Sequence, residues 1–348
     1  ELKNNFTIGI IDDVTNTSLP KEDYKISLDA KELLIYGYGS DGCVSASKDI
    51  LKIMGHEGSF VNGYFSYDSK KSGGVTVSNL RISNHEINAP FYVETPSLIV
   101  VTKDEYFKKF SMIKNIIPNG TIIVNTSKNE EEFNNLLSLE DTQIINKRNI
   151  KVFTIDADRI AAASGIRGKI IEMIVLDKLE IPSAKELITE SIKTSFKTKG
   201  QNIIDANIKA INEALSNLVE IKIVPKTGNI EKEDLDVFTK INRRLGDELT
   251  VGEVSSLKTG TFPDGLSKLE KRHVNNFAPK WIKENCIECG RCSFVCPHAV
   301  IRTFITKDQE GIPLLANKEY TYQVLVSEVD CTECGLCILE CPGKNGKK

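Results

Sequence analysis

Apolar positions along the chain follow two alternating rhythms. Residues 32–38 (ELLIYGY) make a short apolar run that ends in glycine, and beyond it Val44, Ile50, Leu51 and Met54 recur at helical spacing. A strand leading through a turn at 37–42 into a helix is the reading. Further strands are expected at 60–67, 97–101, 121–125 and 152–156. The last three are dense in Ile and Val with little alternation, as in strands buried on both faces of a mostly parallel sheet. A helix is expected at 157–178. A long one starts at Pro182-Ser183, where Ser183 as cap and Glu186 three residues on would form a capping box. Repeated strand–helix units predict a doubly wound α/β domain over residues 1–222.

The rhythm stops after Pro225. Residues 226–280 are rich in Lys, Glu, Asp and Gly and contain the turn-like stretch TFPDG at 261–265. They read as an irregular connector, placed at 223–280. A small α+β domain is expected over 281–348, with strands at 302–306 and 321–327.

Composition narrows the classes. Lys and Arg total 45 against 48 Asp and Glu, a formal charge of −3, which excludes a strongly basic nucleic-acid binder. Hydrophobic residues make up 40% of the 348, enough for a sizeable core. No run of about 18 apolar residues suggests a membrane helix, and residues 1–7 show no signal-peptide pattern. A chain that begins with Glu1 reads as a processed protein or a piece of a longer one. The expected setting is a reducing, cytoplasmic one, with neither nucleic acid nor membrane as partner.

Cysteine carries the chemistry. Eight of the nine cysteines fall between Cys286 and Cys341. The first run is Cys286-Ile-Glu-Cys289-Gly-Arg-Cys292-Ser-Phe-Val-Cys296-Pro297; the second is Cys331-Thr-Glu-Cys334-Gly-Leu-Cys337-Ile-Leu-Glu-Cys341-Pro342. Both are C-x2-C-x2-C-x3-C-P, the spacing at which three thiolates of one tight loop reach three corners of a 4Fe–4S cube. In such pairs the fourth cysteine ligates the other cluster. One cluster is therefore expected on Cys286, Cys289, Cys292 and Cys341, its partner on Cys331, Cys334, Cys337 and Cys296. Gly290 and Gly335 keep bulk away from the inorganic sulfide. The alternative is two tetrahedral zinc sites, which favour C-x2-C pairs with a longer spacer or Cys/His mixtures. A disulfide framework would spread its cysteines and show a secretory signal. Trp281, the one tryptophan, is expected to pack beside the cluster domain, and His298 reads as structural or redox-active.

Two glycine turns are further candidates. Gly37-Tyr-Gly39-Ser-Asp-Gly42 matches G-x-G-x-x-G between strand and helix, where backbone N–H groups can meet a pyrophosphate. Glu57 lies where a ribose-binding acid would fall, though in a turn context, and Asp41 would repel a phosphate. A structural turn at the switch point of the sheet is the other reading. Cys43 starts the following helix, either as an activated thiol or as a small buried residue. The second turn, Ser69-Lys70-Lys71-Ser72-Gly73-Gly74, offers two lysines for a phosphate-bearing ligand, or is a hairpin turn.

These residues together resemble the pyruvate:ferredoxin (flavodoxin) oxidoreductase family. The likeness is carried by FTIGIIDDVTNTSL at 6–19, GSDG at 39–42, YDSKKSGG at 67–74, EKR at 270–272, CPHAVIR at 296–302 and both cysteine runs. It implies a γ-type domain at 1–222, a connector at 223–280 and a ferredoxin-like domain with two 4Fe–4S clusters at 281–348. It also implies oxidation of pyruvate with coenzyme A to acetyl-CoA and CO2, with electrons passing to ferredoxin or flavodoxin. Thiamine diphosphate and Mg²⁺ would belong to other domains or subunits of a homodimeric enzyme, and this chain alone would not turn over pyruvate. Gly39, Ser40, Asp41, Gly42, Lys70 and Lys71 would border the coenzyme A approach. Cys43, Ser45, Ser47 and Lys169-Ile-Ile depart from the pattern of the family. A stand-alone electron carrier, or a related 2-oxoacid oxidoreductase, are the competing readings.

Overall fold

The computed structural model describes the chain except residues 1–3, 21, 23–25, 71, 165–166, 231–232, 308–309, 345 and 347–348. The chain divides into two compact units, Glu1–Pro263 and Asp264–Lys348, and the expected connector is split between them.

The first unit is built on a seven-stranded mixed sheet. Its elements are β1 (Lys31–Tyr38), α1 (Cys43–His56), β2 (Phe60–Tyr67), β3 (Val75–Ser83), β4 (Leu98–Val101), β5 (Thr121–Asn125), α2 (Glu130–Leu136), α3 (Leu139–Lys147) and β6 (Lys151–Ile155). After these come α4 (Ala157–Ser164), α5 (Arg167–Lys178), α6 (Ala184–Ser195), α7 (Gln201–Ala214) and β7 (Val219–Ile221), then the short helices α8 (Val237–Asn242) and α9 (Val251–Val254). The strand order is β2-β3-β1-β4-β5-β6-β7. Strands β1, β4, β5 and β6 run parallel, while β2 and β3 form an antiparallel hairpin beside β1 and β7 closes the other edge antiparallel to β6.

Both faces of the parallel strands are covered, which is why they lack a polar alternation. Leu33, Leu98, Val100, Ile123 and Ile155 turn toward the core shared with α1 and α4–α7. Leu34, Ile99, Val101, Ile122 and Val124 turn the other way, onto Tyr106, Phe107, Ile113, Ile116 and Phe133. Period-two side-chain geometry thus divides each strand between two cores.

Some expectations needed correction. The expected helix 157–178 is described as α4 and α5, with 165–166 between them outside the described residues. Ser183 makes no side-chain cap bond to α6; its backbone sits in a turn conformation (φ −94°, ψ 15°) in place of the extended one that a capping residue adopts. Capping boxes form instead at Asn129/Glu132, Ser138/Asp141 and Thr250/Glu253. Strand β3 was missed because Thr76, Ser78, Asn79 and Arg81 break its apolar pattern, yet all nine of its residues are buried. Arg81 is neutralised by Glu32 at 2.7 Å and donates to the carbonyls of Phe91 and Tyr92, so burying it leaves no unpaired charge.

The second unit holds α10 (Arg291–Phe294), β8 (Ile301–Thr306), β9 (Ile312–Pro313), β10 (Thr321–Val326) and α11 (Leu336–Glu340). Its three-stranded sheet is antiparallel in the order β8-β10-β9. Its fully buried core is small: Val300, Ile301, Tyr322, Val324 and Cys331, with other cysteines and Trp281 packed against it. Among the described residues no helix is long and apolar enough to cross a membrane.

Candidate functional site

The two cysteine runs fold alike. In the first loop Glu288 and Gly290 have φ of 59° and 69°; in the second Glu333 and Gly335 have 55° and 73°. This paired left-handed turn, which glycine adopts without strain, lets α10 and α11 start immediately after Gly290 and Gly335. The Glu288 and Glu333 amides donate to Cys286 Sγ and Cys331 Sγ, each at 3.4 Å. The glutamate side chains fasten the loops: Glu288 accepts from the Leu315 amide at 2.9 Å, and Glu333 accepts from the Asn276 and Phe277 amides.

The thiols line two cavities. Cys286, Cys289, Cys292, Cys341 and Cys337 border one. Cys296, Cys331, Cys334 and Cys337 border the other. Their volumes, about 130 and 240 Å³, are many times the ~10–15 Å³ that one water needs, so each suits a group of several atoms. Among the described residues no three His, Cys, Asp or Glu side chains converge as one metal ion requires. Burial raises the Cys292 thiol, and the neighbouring Cys286, Cys289 and Cys341 thiolates raise it further. Cys337 is raised in the same way, by burial and then by Cys334, Cys331 and Cys296. A polynuclear cation would remove that repulsion by accepting all four thiolates. Donor set, space and electrostatics therefore fit a 4Fe–4S cube in each cavity.

The glycine turns meet at the carboxyl edge of the large sheet. The Gly39 amide donates to the Gly74 carbonyl at 2.9 Å, and the Gly73 amide to the Gly39 carbonyl at 3.5 Å. Lys70 belongs to the second turn, while Lys71 lies outside the described residues. The Asp41 carboxylate is occupied within the first turn: it accepts from the Tyr38 amide at 2.8 Å, the Cys43 amide at 2.8 Å and Thr102 Oγ1 at 3.1 Å. Asp41 thus fastens the turn and takes the amide at the start of α1 that a pyrophosphate would use. Cys43 is 1% exposed, and burial, then Asp41, pushes its thiol well up. Glu57 follows the end of α1 in an exposed position, not at a strand end.

Beside this turn a polar cavity of about 670 Å³ is bordered by Ser40, Asp41, Gly42, Asp49, Arg167 and Glu172. Arg167 pairs with Asp158 and donates to the Tyr38 hydroxyl. Tyr38 and Asp158 hold its guanidinium above its ordinary value although burial, the largest effect, pulls it down.

Residues 32–217, more than half of the chain, match the family model described as pyruvate ferredoxin/flavodoxin oxidoreductase. The chain belongs to that family. Residues 285–345 of this oxidoreductase-family chain match a 4Fe-4S dicluster domain. It is 34% identical over 377 residues to the pyruvate:ferredoxin oxidoreductase of Moorella thermoacetica, covering 98% of this chain and 32% of that one. It is 31% identical over 369 residues to the pyruvate-flavodoxin oxidoreductase of Klebsiella pneumoniae, covering 97% and 32%. The chain thus spans about a third of the length of these relatives. Among solved structures, pyruvate oxidoreductase subunit PORC of Thermotoga maritima overlaps 56% of the chain and 100% of its own length, at a TM-score of 0.46 and 22% identity.

Sequence reasoning passed over Tyr38, Asp158 and Arg167 at the edge of this oxidoreductase domain. A signal was present: polar residues directly after buried strands, Thr102 after β4 and Asp156 after β6, mark the carboxyl edge where open α/β sheets bind ligands.

Proposed function

We propose that the chain is the electron-relay segment of a pyruvate:ferredoxin or pyruvate:flavodoxin oxidoreductase. The observation that carries this reading is the pair of cavities, each bordered by thiols of both cysteine runs. Cys286, Cys289, Cys292 and Cys341 would hold one 4Fe–4S cluster, and Cys331, Cys334, Cys337 and Cys296 the other. When bound, the clusters supply one-electron carriers. The protein's own part is to fix the thiols on left-handed turns, to give amide donors to Cys286 and Cys331, and to keep water from one side with Val300, Ile301, Tyr322 and Val324.

Residues 1–222 would act as a γ-type domain, 223–280 as connector and 281–348 as the ferredoxin-like domain. In this reading the enzyme oxidises pyruvate with coenzyme A to acetyl-CoA and CO2 in the cytoplasm. Thiamine diphosphate and Mg²⁺ would reside in partner domains or subunits of a homodimer, so the 348 residues alone would not turn over pyruvate. The joined turns, with Gly39, Ser40, Gly42, Lys70 and Lys71, would border the coenzyme A approach, Asp41 acting as their fastener. Coenzyme A should protect Lys70 and Lys71 from amine modification; unchanged labelling would remove that assignment.

Anaerobic isolation from the source cells tests the main proposal. An assembly far heavier than the 38.7 kDa chain, with iron, acid-labile sulfide and thiamine diphosphate, is the expected result. A lone chain with two clusters and no thiamine diphosphate would mean an independent electron carrier instead.

A further inference from the structure

The two cavities differ in their lining, and one difference is an aromatic donor. Trp281 enters the second unit just ahead of the first cysteine run, packs against the small core and lines the cavity of Cys286, Cys289, Cys292 and Cys341. Its Nε1 is buried and has no hydrogen-bond partner among the described residues. Buried indole N–H groups ordinarily find an acceptor, and an orphaned one marks a place where a further group supplies it. Asn285 and Tyr322 also line this cavity, yet neither accepts from the indole among the described residues; the cysteine thiolates, and the inorganic sulfides that a cluster would bring, are the remaining side-chain acceptors. The second cavity is not lined by Trp281; its polar lining outside the cysteines is His298, Thr332 and Glu333. The Glu333 carboxylate is already engaged by the Asn276 and Phe277 amides.

We propose, on the two-cluster reading above, that the indole N–H of Trp281 donates to a sulfur of the cluster held by Cys286, Cys289, Cys292 and Cys341. Trp281 is then a positioning residue that sets a difference in reduction potential between two clusters with near-identical cysteine loops. An N–H···S bond strengthens as the cluster gains negative charge, so it favours the reduced form and raises the potential. The ring has the opposite influence, because excluding water lowers the potential. Trp281→Phe keeps an aromatic ring and removes the donor, which separates the two effects.

The test uses the full chain, reconstituted anaerobically and analysed first for iron and acid-labile sulfide. Titrations followed by electron paramagnetic resonance then compare wild type with Trp281→Phe. One wave should move negative by about tenfold in its equilibrium, ~59 mV for a one-electron couple, while the other stays. Because the chain has a single tryptophan, ¹⁵N-tryptophan labels one indole nitrogen, and the reduced wild-type protein should show its hyperfine coupling to a cluster. Unchanged potentials with both clusters intact, equal shifts of both waves, or absent ¹⁵N coupling would overturn the proposal. If Trp281→Phe loses a cluster, the ¹⁵N measurement on the wild type decides. If the wild type assembles no clusters, the two-cluster reading fails first and this inference falls with it.

Discussion

Lys169→Met is the substitution whose consequence follows most directly from the structure. Lys169 is 5% exposed and ties three helices together: its Nζ lies 2.8 Å from Asp49 of α1, 2.9 Å from Glu172 of α5 and 3.1 Å from Ser191 of α6. Burial pushes the Glu172 carboxyl up to about 8, against the pull of the Lys169 ammonium. Methionine keeps most of the stem but removes the cation, and Glu172 then rises further. At neutral pH the carboxyl escapes by keeping its proton, so the loss is that of hydrogen bonds, about 1–3 kcal/mol. At about pH 9 the wild-type carboxyl has ionised beside Lys169, whereas in the variant it either holds its proton or ionises without a partner, and the cost approaches ~3–5 kcal/mol. The sign follows from linkage. Above its ordinary value of 4.5 the unfolded chain releases this proton, whereas the fold retains it up to about 8. The contribution of Glu172 to stability is therefore full below 4.5 and declines as pH rises to about 8 in the wild type, and beyond 8 in the variant. Urea unfolding by far-UV circular dichroism, at about pH 6 and about pH 9, reads the difference. Lys169→Met/Glu172→Leu should recover most of the loss, since well-packed apolar replacements of buried pairs are often neutral. A loss below ~1 kcal/mol at both pH values, or one that does not grow with pH, would refute the reasoning.

Three further outcomes are expected. In Gly37→Ala the new Cβ would stand 2.6 Å from Asp41 Oδ2 and 2.8 Å from Cys43 Cβ, so the fastened turn must shift, at about 1–3 kcal/mol; a lowered urea midpoint checks it. Cys296→Ala and Cys341→Ala should each lose one cluster, and that cluster belongs to the other run. Iron and sulfide analysis reads the count, and electron paramagnetic resonance of each variant identifies the survivor. Stripping iron with a chelator and oxidant should unfold mainly the unit Asp264–Lys348, whose buried core is small. Trp281 fluorescence should then shift to the red while far-UV ellipticity, dominated by the helices of the first unit, changes little.

The sequence by itself determined the local and the covalent-scale features. Strands β4, β5 and β6 were legible because a strand covered on both faces must be apolar throughout, and the helical repeat after the 37–42 turn predicted α1. The cysteine runs were legible because ligand spacing within a tight loop is set by the few residues between thiols. Tertiary structure decided what depends on residues distant in the chain. Strand β3 is buried despite Arg81 because Glu32 and the carbonyls of 91 and 92 come to meet it. Asp41 turned from an obstacle to phosphate into a fastener because its acceptors are filled by Tyr38, Cys43 and Thr102. Ser183 lost its cap to a backbone conformation that a pattern of letters does not encode. The orphaned donor of Trp281 and the three hydrogen bonds donated by Lys169 appeared only once their surroundings had folded. Burial and partnership belong to the assembled chain, whereas periodicity and spacing are already written along it.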